Sequence, residues 1–130
     1  MRWVWLVLAL LGLSWAGGCT TDNTPPALVL GPDDDQSEIS LQVGQVLEVH
    51  LPANPTTGYT WLVKEGAPGP VVLVAEPGFT PEAQRLGAGG TLILRFRAVT
   101  PGETRVRLVY QRPWETGEPE EDFEFRVIVR

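Results

Sequence analysis

The chain has 130 residues, 43% of them hydrophobic, so it can form one compact domain with a real core but not a two-domain enzyme. Its 10 basic and 16 acidic residues give a formal net charge of -6, so a nucleic-acid backbone would repel it. One cysteine cannot form an internal disulfide, and one histidine cannot supply a multi-histidine metal site. We therefore expect no nucleic-acid partner, no metal and no cofactor.

The N-terminal segment has the pattern of a secretion signal. Arg2 precedes an almost unbroken apolar run over residues 3–13, whose length is typical of a signal peptide and short for a membrane span. Small residues follow, and then Cys19. We expect residues 1–18 to be a signal peptide that is cleaved before Cys19.

The residues around the cleavage point resemble the lipobox of bacterial lipoproteins, with Ala16 where leucine is usual. The resemblance implies that Cys19 is acylated and anchors the protein to a membrane of the cell envelope, facing the periplasm or the exterior. Residues 19–26 would then be a tether, since they are mostly polar and end in two prolines. The alternative is an ordinary secretory signal followed by an unrelated cysteine.

From residue 27 onward apolar residues recur with a period of two, and Gly or Pro interrupts before a helical pattern can develop. The clearest strands are expected over residues 91–97, 104–111 and 123–130. Weaker ones are expected over residues 38–43, 46–51, 60–64 and 71–75, with 27–30 as a candidate edge strand. About seven strands at this spacing predict an all-β, immunoglobulin-like antiparallel β-sandwich over residues 27–130, with a small barrel as the alternative.

Successive strands of such a sandwich mostly run in opposite directions, so alternate connections gather at the same end. At one end the connections consist of ordinary turn residues, at 44–45, 66–70 and 100–102. At the other end they carry unusual residues, at 54–59, 86–90 and 112–115. We expect these last three loops to lie side by side.

The first of the three loops reads Asn54-Pro55-Thr56-Thr57-Gly58-Tyr59. The asparagine side chain can accept a backbone hydrogen bond two residues on, the proline fixes φ and the glycine permits a positive φ, which predicts a stiff turn with two threonines at its tip. In the second loop, Gly87-Ala88-Gly89-Gly90, the missing side chains would let the backbone of a partner approach closely. The alternatives are an ordinary tight turn for the first loop and a hinge or bulge for the second.

The third loop, Arg112-Pro113-Trp114-Glu115, places a tryptophan beyond the end of a strand, whereas Trp61 lies inside an alternating run and is expected in the core. An exposed aromatic beside an arginine is the composition of an interface anchor. The alternative is that Trp114 folds back over the end of the sandwich. The acidic residues that follow are expected to form a soluble rim, namely Glu118, Glu120, Glu121 and Asp122.

Together, the string 54–59 followed by Trp61, the glycine-rich segment 87–90 and the string 110–115 resemble the chagasin family of cysteine-peptidase inhibitors, over about residues 37–130. The resemblance implies an immunoglobulin-like fold whose three loops enter the active-site cleft of papain-like peptidases. The first loop would lie over the catalytic cysteine and histidine, the second along the unprimed side, and the third on the primed side with Trp114 against an aromatic surface. The peptidase-binding residues would be Asn54, Pro55, Thr56, Thr57, Gly58, Tyr59, Gly87, Ala88, Gly89, Gly90, Arg112, Pro113, Trp114 and Glu115.

An enzyme is hard to assemble from the remaining residues. His50 is expected to be solvated on the outward face of its strand, and Ser37 and Ser40 have no evident base nearby. The run 33–35 lacks the ligand spacing of a calcium loop and predicts a solvated turn. We therefore expect a monomeric, reversible, tight-binding inhibitor of a papain-like cysteine peptidase. The alternative is an envelope lipoprotein whose immunoglobulin-like domain binds a partner without inhibiting it.

Overall fold

The computed structural model describes residues 25–83 and 87–130, so the predicted signal peptide, Cys19, most of the predicted tether and Leu86 lie outside the described residues. The described part contains nine strands and two 3-10 turns, and no helix in it is long and apolar enough to cross a membrane. The strands are β1 Leu28–Leu30, β2 Ser37–Leu41, β3 Val46–Ala53, β4 Thr60–Glu65, β5 Val71–Leu73, β6 Gly78–Pro81, β7 Gly90–Ala98, β8 Gly102–Gln111 and β9 Glu121–Val129. The 3-10 turns are Pro32–Asp34 and Pro55–Thr57.

The strands form two sheets. The first sheet has the order β1-β3-β7-β5, with β6 also paired to β7, and the second has the order β2-β9-β8-β4. This is the predicted immunoglobulin-like β-sandwich, but both sheets are mixed, because β1 pairs with β3 and β2 pairs with β9 in parallel. The candidate edge strand is present as β1, and β6 is a strand that the sequence pattern did not predict.

The core lies between the sheets and consists of the inward positions of the alternating strands. Along β7, and along β9 from Phe123 onward, every second residue is buried, as the period of two predicts. The two sheets meet at Phe96 of β7 and Phe125 of β9, whose ring centroids are 6.1 Å apart at an angle of 72°. An edge-to-face aromatic pair of this kind adds about 1 kcal/mol to the burial of the two rings.

Trp61 lies in the same core, as predicted, with only 4% of its surface exposed. Its indole Nε1 donates a hydrogen bond of 3.0 Å to the carbonyl oxygen of Pro52. Because Trp61 belongs to β4 in the second sheet and Pro52 to β3 in the first, this bond ties the two sheets together close to one end of the sandwich.

At the opposite end of the sandwich, short turns are closed by backbone hydrogen bonds. The amide of Gly44 donates to the carbonyl of Ala98 at 2.7 Å, and that of Val99 donates to Pro70 at 2.8 Å. The chain also enters the domain here, since the side chain of Gln45 donates a hydrogen bond to the carbonyl of Pro26 at 3.1 Å.

His50 and the acidic turn at 33–35 make contacts within the chain that the sequence did not predict. His50 points outward as predicted but is not simply solvated: its Nε2 is buried and lies 3.8 Å from Oε2 of Glu48. The acidic turn at 33–35 is used by the chain itself, because Oδ2 of Asp34 accepts from the amide of Gly31 at 2.7 Å and Oδ1 of Asp35 from the amide of Glu124 at 2.8 Å. Both carboxylates therefore act as structural acceptors at the start of β2.

Candidate functional site

Three loops lie side by side at one end of the sandwich, as the strand directions predict. Loop 1 (residues 54–59) crosses from β3 in the first sheet to β4 in the second. Loop 2 joins β6 to β7 within the first sheet and is described at residues 82–83 and 87–89, and loop 3 (residues 112–120) joins β8 to β9 within the second. Loop 1 is therefore the central loop, with one neighbour on each sheet.

Loop 1 is a single 3-10 turn held by its first residue. Oδ1 of Asn54 accepts two hydrogen bonds from Thr56, one from the backbone amide at 3.2 Å and one from the side-chain Oγ1 at 2.6 Å. Oγ1 of Thr57 donates to the carbonyl of Asn54 at 2.7 Å. Both threonine hydroxyls thus donate inside the turn, which leaves only their lone pairs and methyl groups for a partner.

Gly58 ends the turn in a left-handed conformation, with φ at 81°, and its amide donates to the carbonyl of Pro55 at 3.1 Å. A Cβ at this position would lie 2.7 Å from Cη2 of Trp114, so a side chain here would displace the exposed indole. The left-handed backbone therefore favours glycine here, and its missing side chain leaves room for the indole of the neighbouring loop.

Loop 1 is bonded to loop 2 through the same asparagine. Nδ2 of Asn54 donates to the carbonyl of Gly87 at 3.2 Å. Loop 2 is itself closed at its base, where the amide of Glu82 donates to the carbonyl of Gly89 at 3.1 Å. Beside this junction, an open cleft of about 370 Å³ is lined in part by Asn54, Gly89 and Tyr110.

Gly90 has a different use from the one the sequence suggested. It is buried in β7 between Ala53 of β3 and Pro81 of β6, and a Cβ would overlap the carbonyl oxygen of Thr80 and lie 2.7 Å from Cζ of Phe79. The close approach that this glycine allows is therefore to a strand of its own chain. Gly87, Ala88 and Gly89 are the residues of the glycine-rich segment that keep accessible surface.

Loop 1 is bonded to loop 3 through Arg112. Its Nε donates to the carbonyl of Thr57 at 3.0 Å, its Nη1 contacts Oε1 of Glu115 at 3.1 Å, and its Cζ lies 4.6 Å from the centroid of the Tyr59 ring. The hydrogen bond to Glu115 raises the pKa of Arg112 above its ordinary value, so the guanidinium is fully charged. All these partners belong to loops 1 and 3.

Trp114 is exposed, as predicted, with 71% of its surface accessible. It does not fold back into the core, and only the edge of its ring approaches loop 1 at Gly58. An indole this exposed presents a large apolar surface at the tip of loop 3. This is the geometry expected of an interface anchor.

Tyr110 lies beneath the loops and belongs to the string 110–115, but the sequence did not identify it as a site residue. Its hydroxyl oxygen accepts from the amide of Asn54 at 3.1 Å. Its ring lies between Tyr59, at a centroid distance of 5.4 Å, and Trp61, at 5.1 Å. Its inward position near the end of β8, two residues before Arg112, was the available signal, because an inward polar aromatic at a strand end needs a partner for its hydroxyl.

The surroundings of the loops are acidic. Glu82, Glu118, Glu120 and Glu121 are exposed, and none of them forms an ion pair with another described residue. Asp122, also expected in this rim, is instead paired with Arg107 at 2.8 Å. No group of three or more His, Cys, Asp or Glu residues suited to a metal ion occurs within residues 25–83 and 87–130.

Residues 40–129 match the family described as "Chagasin family peptidase inhibitor I42". Chagasin of Trypanosoma cruzi is 34% identical over 96 residues, which cover 71% of this chain and 86% of that protein. The crystal structure of EhICP2, a cysteine protease inhibitor from Entamoeba histolytica, superposes with a TM-score of 0.71 at 24% identity, covering 81% of this chain and 96% of the other. The structure of PbICP-C in complex with falcipain-2 gives a TM-score of 0.53 at 22% identity, covering 82% and 100%.

The family match includes β3 to β9 and all three loops, and so covers the part of the chain in which the bonded loops were found. Its members are inhibitors and not enzymes. The sequence match, the shared fold and the loop strings agree, and the chain belongs to the chagasin family of cysteine-peptidase inhibitors.

Proposed function

We propose that this protein inhibits papain-like cysteine peptidases reversibly and tightly, by filling the active-site cleft with loops 1, 2 and 3 acting as one surface. The observation that carries the proposal is the bonding of loop 1 to both of its neighbours, through Asn54 to Gly87 and through Arg112 to Thr57. Loops joined in this way lose little conformational freedom on binding, so a modest interface can give high affinity.

The class of partner is supported by the relatives. The family is described as one of peptidase inhibitors, and EhICP2 as a cysteine protease inhibitor. PbICP-C, which shares the fold, was solved in complex with falcipain-2. A peptidase of the papain type has a cleft between two walls, and a wedge of three adjacent loops has the complementary shape.

The geometry of loop 1 explains how it can block a thiol nucleophile without being cut. A substrate offers an extended backbone whose carbonyl carbon can be attacked, whereas residues 55–57 form a 3-10 turn that the Asn54 side chain and the left-handed Gly58 hold closed. Pro55 also removes one backbone donor from the turn. Loop 1 would therefore cover the catalytic cysteine and histidine without presenting a peptide bond in the attackable orientation.

The outer loops have separate roles in this proposal. Loop 2, through Gly87, Ala88 and Gly89, would lie along the unprimed side, where its small residues allow close backbone contact. Loop 3 would lie on the primed side, with Trp114 packed on an aromatic surface of the peptidase. Its 71% exposure in the free domain means that most of its apolar surface is available for burial in the complex.

Titration of papain or cathepsin L with the purified protein tests the proposal. We expect stoichiometric loss of activity, recovery of activity after dilution, and an intact inhibitor chain after prolonged incubation. Trypsin, which has a serine nucleophile, is the control and should keep its activity. If papain kept full activity at micromolar inhibitor, the proposal would fail, and the alternative of a non-inhibitory binding module in the envelope would stand.

We also propose that the protein acts as a monomer held at a membrane of the cell envelope by lipid on Cys19. The support is the sequence alone: the apolar run over residues 3–13, the small residues after it, and the cysteine at the end. Radiolabelled palmitate should enter the protein, and Cys19→Ser should abolish the labelling. A Cys19→Ser variant that stayed acylated would rule the proposal out.

A further inference from the structure

Arg112 belongs to the motif that resembles the peptidase-binding loop, yet its contacts lie within its own chain. The guanidinium uses Nε for the Thr57 carbonyl at 3.0 Å and Nη1 for Glu115 at 3.1 Å, and one face covers the Tyr59 ring. Two donors and a stacking face are thus already engaged in the free domain. Only 36% of the side chain is exposed.

Loop 1 needs such support because, among the described residues, Arg112 donates the only hydrogen bond from another loop to its C-terminal half, where Tyr59 also stacks on Tyr110. The turn at 55–57 has no buried residue, so packing against the core does not hold it. Its internal bonds all return to the N-terminal side, from Thr56 and Thr57 to Asn54 and from Gly58 to Pro55. A single 3-10 turn is marginal by itself, and the carbonyl of Thr57 at its C-terminal end would otherwise face water.

We infer that Arg112 is a positioning residue that fixes loop 1 in its turn before a peptidase binds, acting through the Thr57 carbonyl and the Tyr59 ring. Its effect on inhibition rests on the proposed function, but its effect on loop 1 does not. Gly58 fits the same arrangement, because a Cβ placed on it would lie 2.7 Å from Cη2 of Trp114 and 3.7 Å from Nε of Arg112. The residue that holds loop 1 and the exposed indole are therefore only two positions apart in loop 3.

A positioning role and a direct contact with the peptidase predict different effects on the rate constants of binding. If Arg112 only fixes loop 1, its loss lowers the fraction of molecules with loop 1 ready to bind, so association slows in proportion while the formed complex, in which the peptidase itself holds loop 1, dissociates at nearly the same rate. If Arg112 contacted the peptidase, its loss would mainly speed dissociation. The two rate constants therefore separate the two roles.

The test compares Arg112→Ala, Arg112→Lys and the control Arg105→Ala in the purified protein. Arg105 lies near the start of β8, is exposed and pairs with Glu124, so its removal changes the net charge equally without touching the loops. For Arg112→Ala we expect association with papain to slow about tenfold with dissociation changed less than about twofold. Arg112→Lys keeps the charge but lacks the planar fork, so it should slow association about threefold and thereby exclude a purely electrostatic cause.

Nitrogen-15 relaxation of the free protein supplies a second measurement. The amide order parameters of Thr57 and Gly58 should fall from about 0.85 towards 0.6 in both Arg112 variants and stay unchanged in Arg105→Ala. Faster dissociation with unchanged association and unchanged order parameters would overturn the inference and make Arg112 a peptidase contact. If the unaltered protein failed to inhibit papain, the proposed function would fall, while the order parameters would still decide whether Arg112 braces loop 1.

Discussion

The two ends of the sandwich are held by different kinds of hydrogen bond. At the end that carries loops 1 to 3, the bonds that hold loop 1 to its neighbours use side chains: Asn54 donates to Gly87, Arg112 donates to Thr57, and the Tyr110 hydroxyl accepts from the amide of Asn54. At the opposite end, connections are joined mainly backbone to backbone, as between Gly44 and Ala98.

Because of this difference, we expect the opposite end to contribute mainly to stability and the loop end mainly to binding. Backbone bonds form with almost any side chain, so most of the bonding at the opposite end tolerates substitution, apart from the side-chain bond of Gln45 to Pro26 and the positions where a glycine or a close approach is needed. At the loop end, each side-chain bond is lost when the residue that makes it is substituted. Because these bonds lie outside the core, their loss should leave the fold intact. Substitutions at the opposite end should therefore change unfolding, and substitutions at the loop end should change inhibition.

The largest effect is expected at the opposite end, for Gly66→Ala. Gly66 has φ at 92°, and a Cβ would overlap the carbonyl oxygen of Arg105 and lie 2.7 Å from Cα of Val106. Strain and overpacking together should lower the free energy of unfolding by about 3 kcal/mol, measured by urea denaturation. Gly44→Ala is the matched control, with φ at 93° and open space around it, and should cost about 1 kcal/mol.

Both glycine variants should titrate papain normally at temperatures where they are folded. Loss of inhibition by a stably folded Gly66→Ala protein would show that the two ends are not independent.

Trp114→Ala should give the complementary result at the loop end. Loss of the exposed indole should weaken binding to papain by about 2 kcal/mol, roughly thirtyfold in the inhibition constant. Because the side chain packs against little in the free domain, the free energy of unfolding should change by less than about 0.5 kcal/mol. Val99→Ala, an exposed apolar residue at the opposite end, is the control and should alter neither quantity appreciably. An unchanged inhibition constant for Trp114→Ala would mean that loop 3 does not anchor the complex.

Substitutions of Asn54 should have a smaller effect on inhibition, and they can separate the contributions of its two hydrogen bonds. Asn54→Ala removes both the acceptor for Thr56 and the donor to Gly87, and should weaken inhibition by about 1 kcal/mol, roughly fivefold. Asn54→Asp keeps the acceptor, loses the bond to loop 2 and adds a negative charge beside the carbonyl of Gly87. If Asn54→Asp inhibited as poorly as Asn54→Ala, the bond between loops 1 and 2 would be the more important of the two.

The smallest effect is expected on the outer face of the second sheet. Arg126 reaches Glu103 at 2.6 Å and Glu38 at 3.5 Å, and so spans β8, β9 and β2, and its hydrogen bond to Glu103 raises the pKa of the guanidinium. These groups are solvated, and exposed ion pairs add little to stability. Arg126→Ala should therefore leave the melting temperature and the inhibition constant unchanged within error. A marked drop in melting temperature would show that this network holds β2 in the sheet.

Strand positions followed from the sequence where alternation was strong. β7, β8 and β9 were predicted to within two residues at each end, because half-buried strands impose a period of two on the chain. β6 escaped prediction because it contains Gly78 and Pro81 and shows no alternation. The parallel pairings of β1 and β2 could not be predicted, since alternation shows which face of a strand is buried and carries no information about its partner.

The location of the site could be predicted from the sequence, but the contacts that hold its loops together could not. The grouping of the loops followed from strand directions, and the exposure of Trp114 followed from its position past a strand end. The contact of Arg112 with Thr57 joins residues far apart in sequence, and the burial of Gly90 depends on β6, a strand the pattern did not show. Both required knowledge of which backbone atoms come close in three dimensions.

The position of Pro26 beside Gln45 has a practical consequence. Arg130 lies at the same end, where its amide donates to the carbonyl of Leu41 at 3.0 Å. A lipid, a resin or a fused carrier protein attached near Pro26 or Arg130 would therefore lie at the end opposite loops 1 to 3 and leave those loops accessible. Such immobilised material should capture peptidases as effectively as the dissolved domain does.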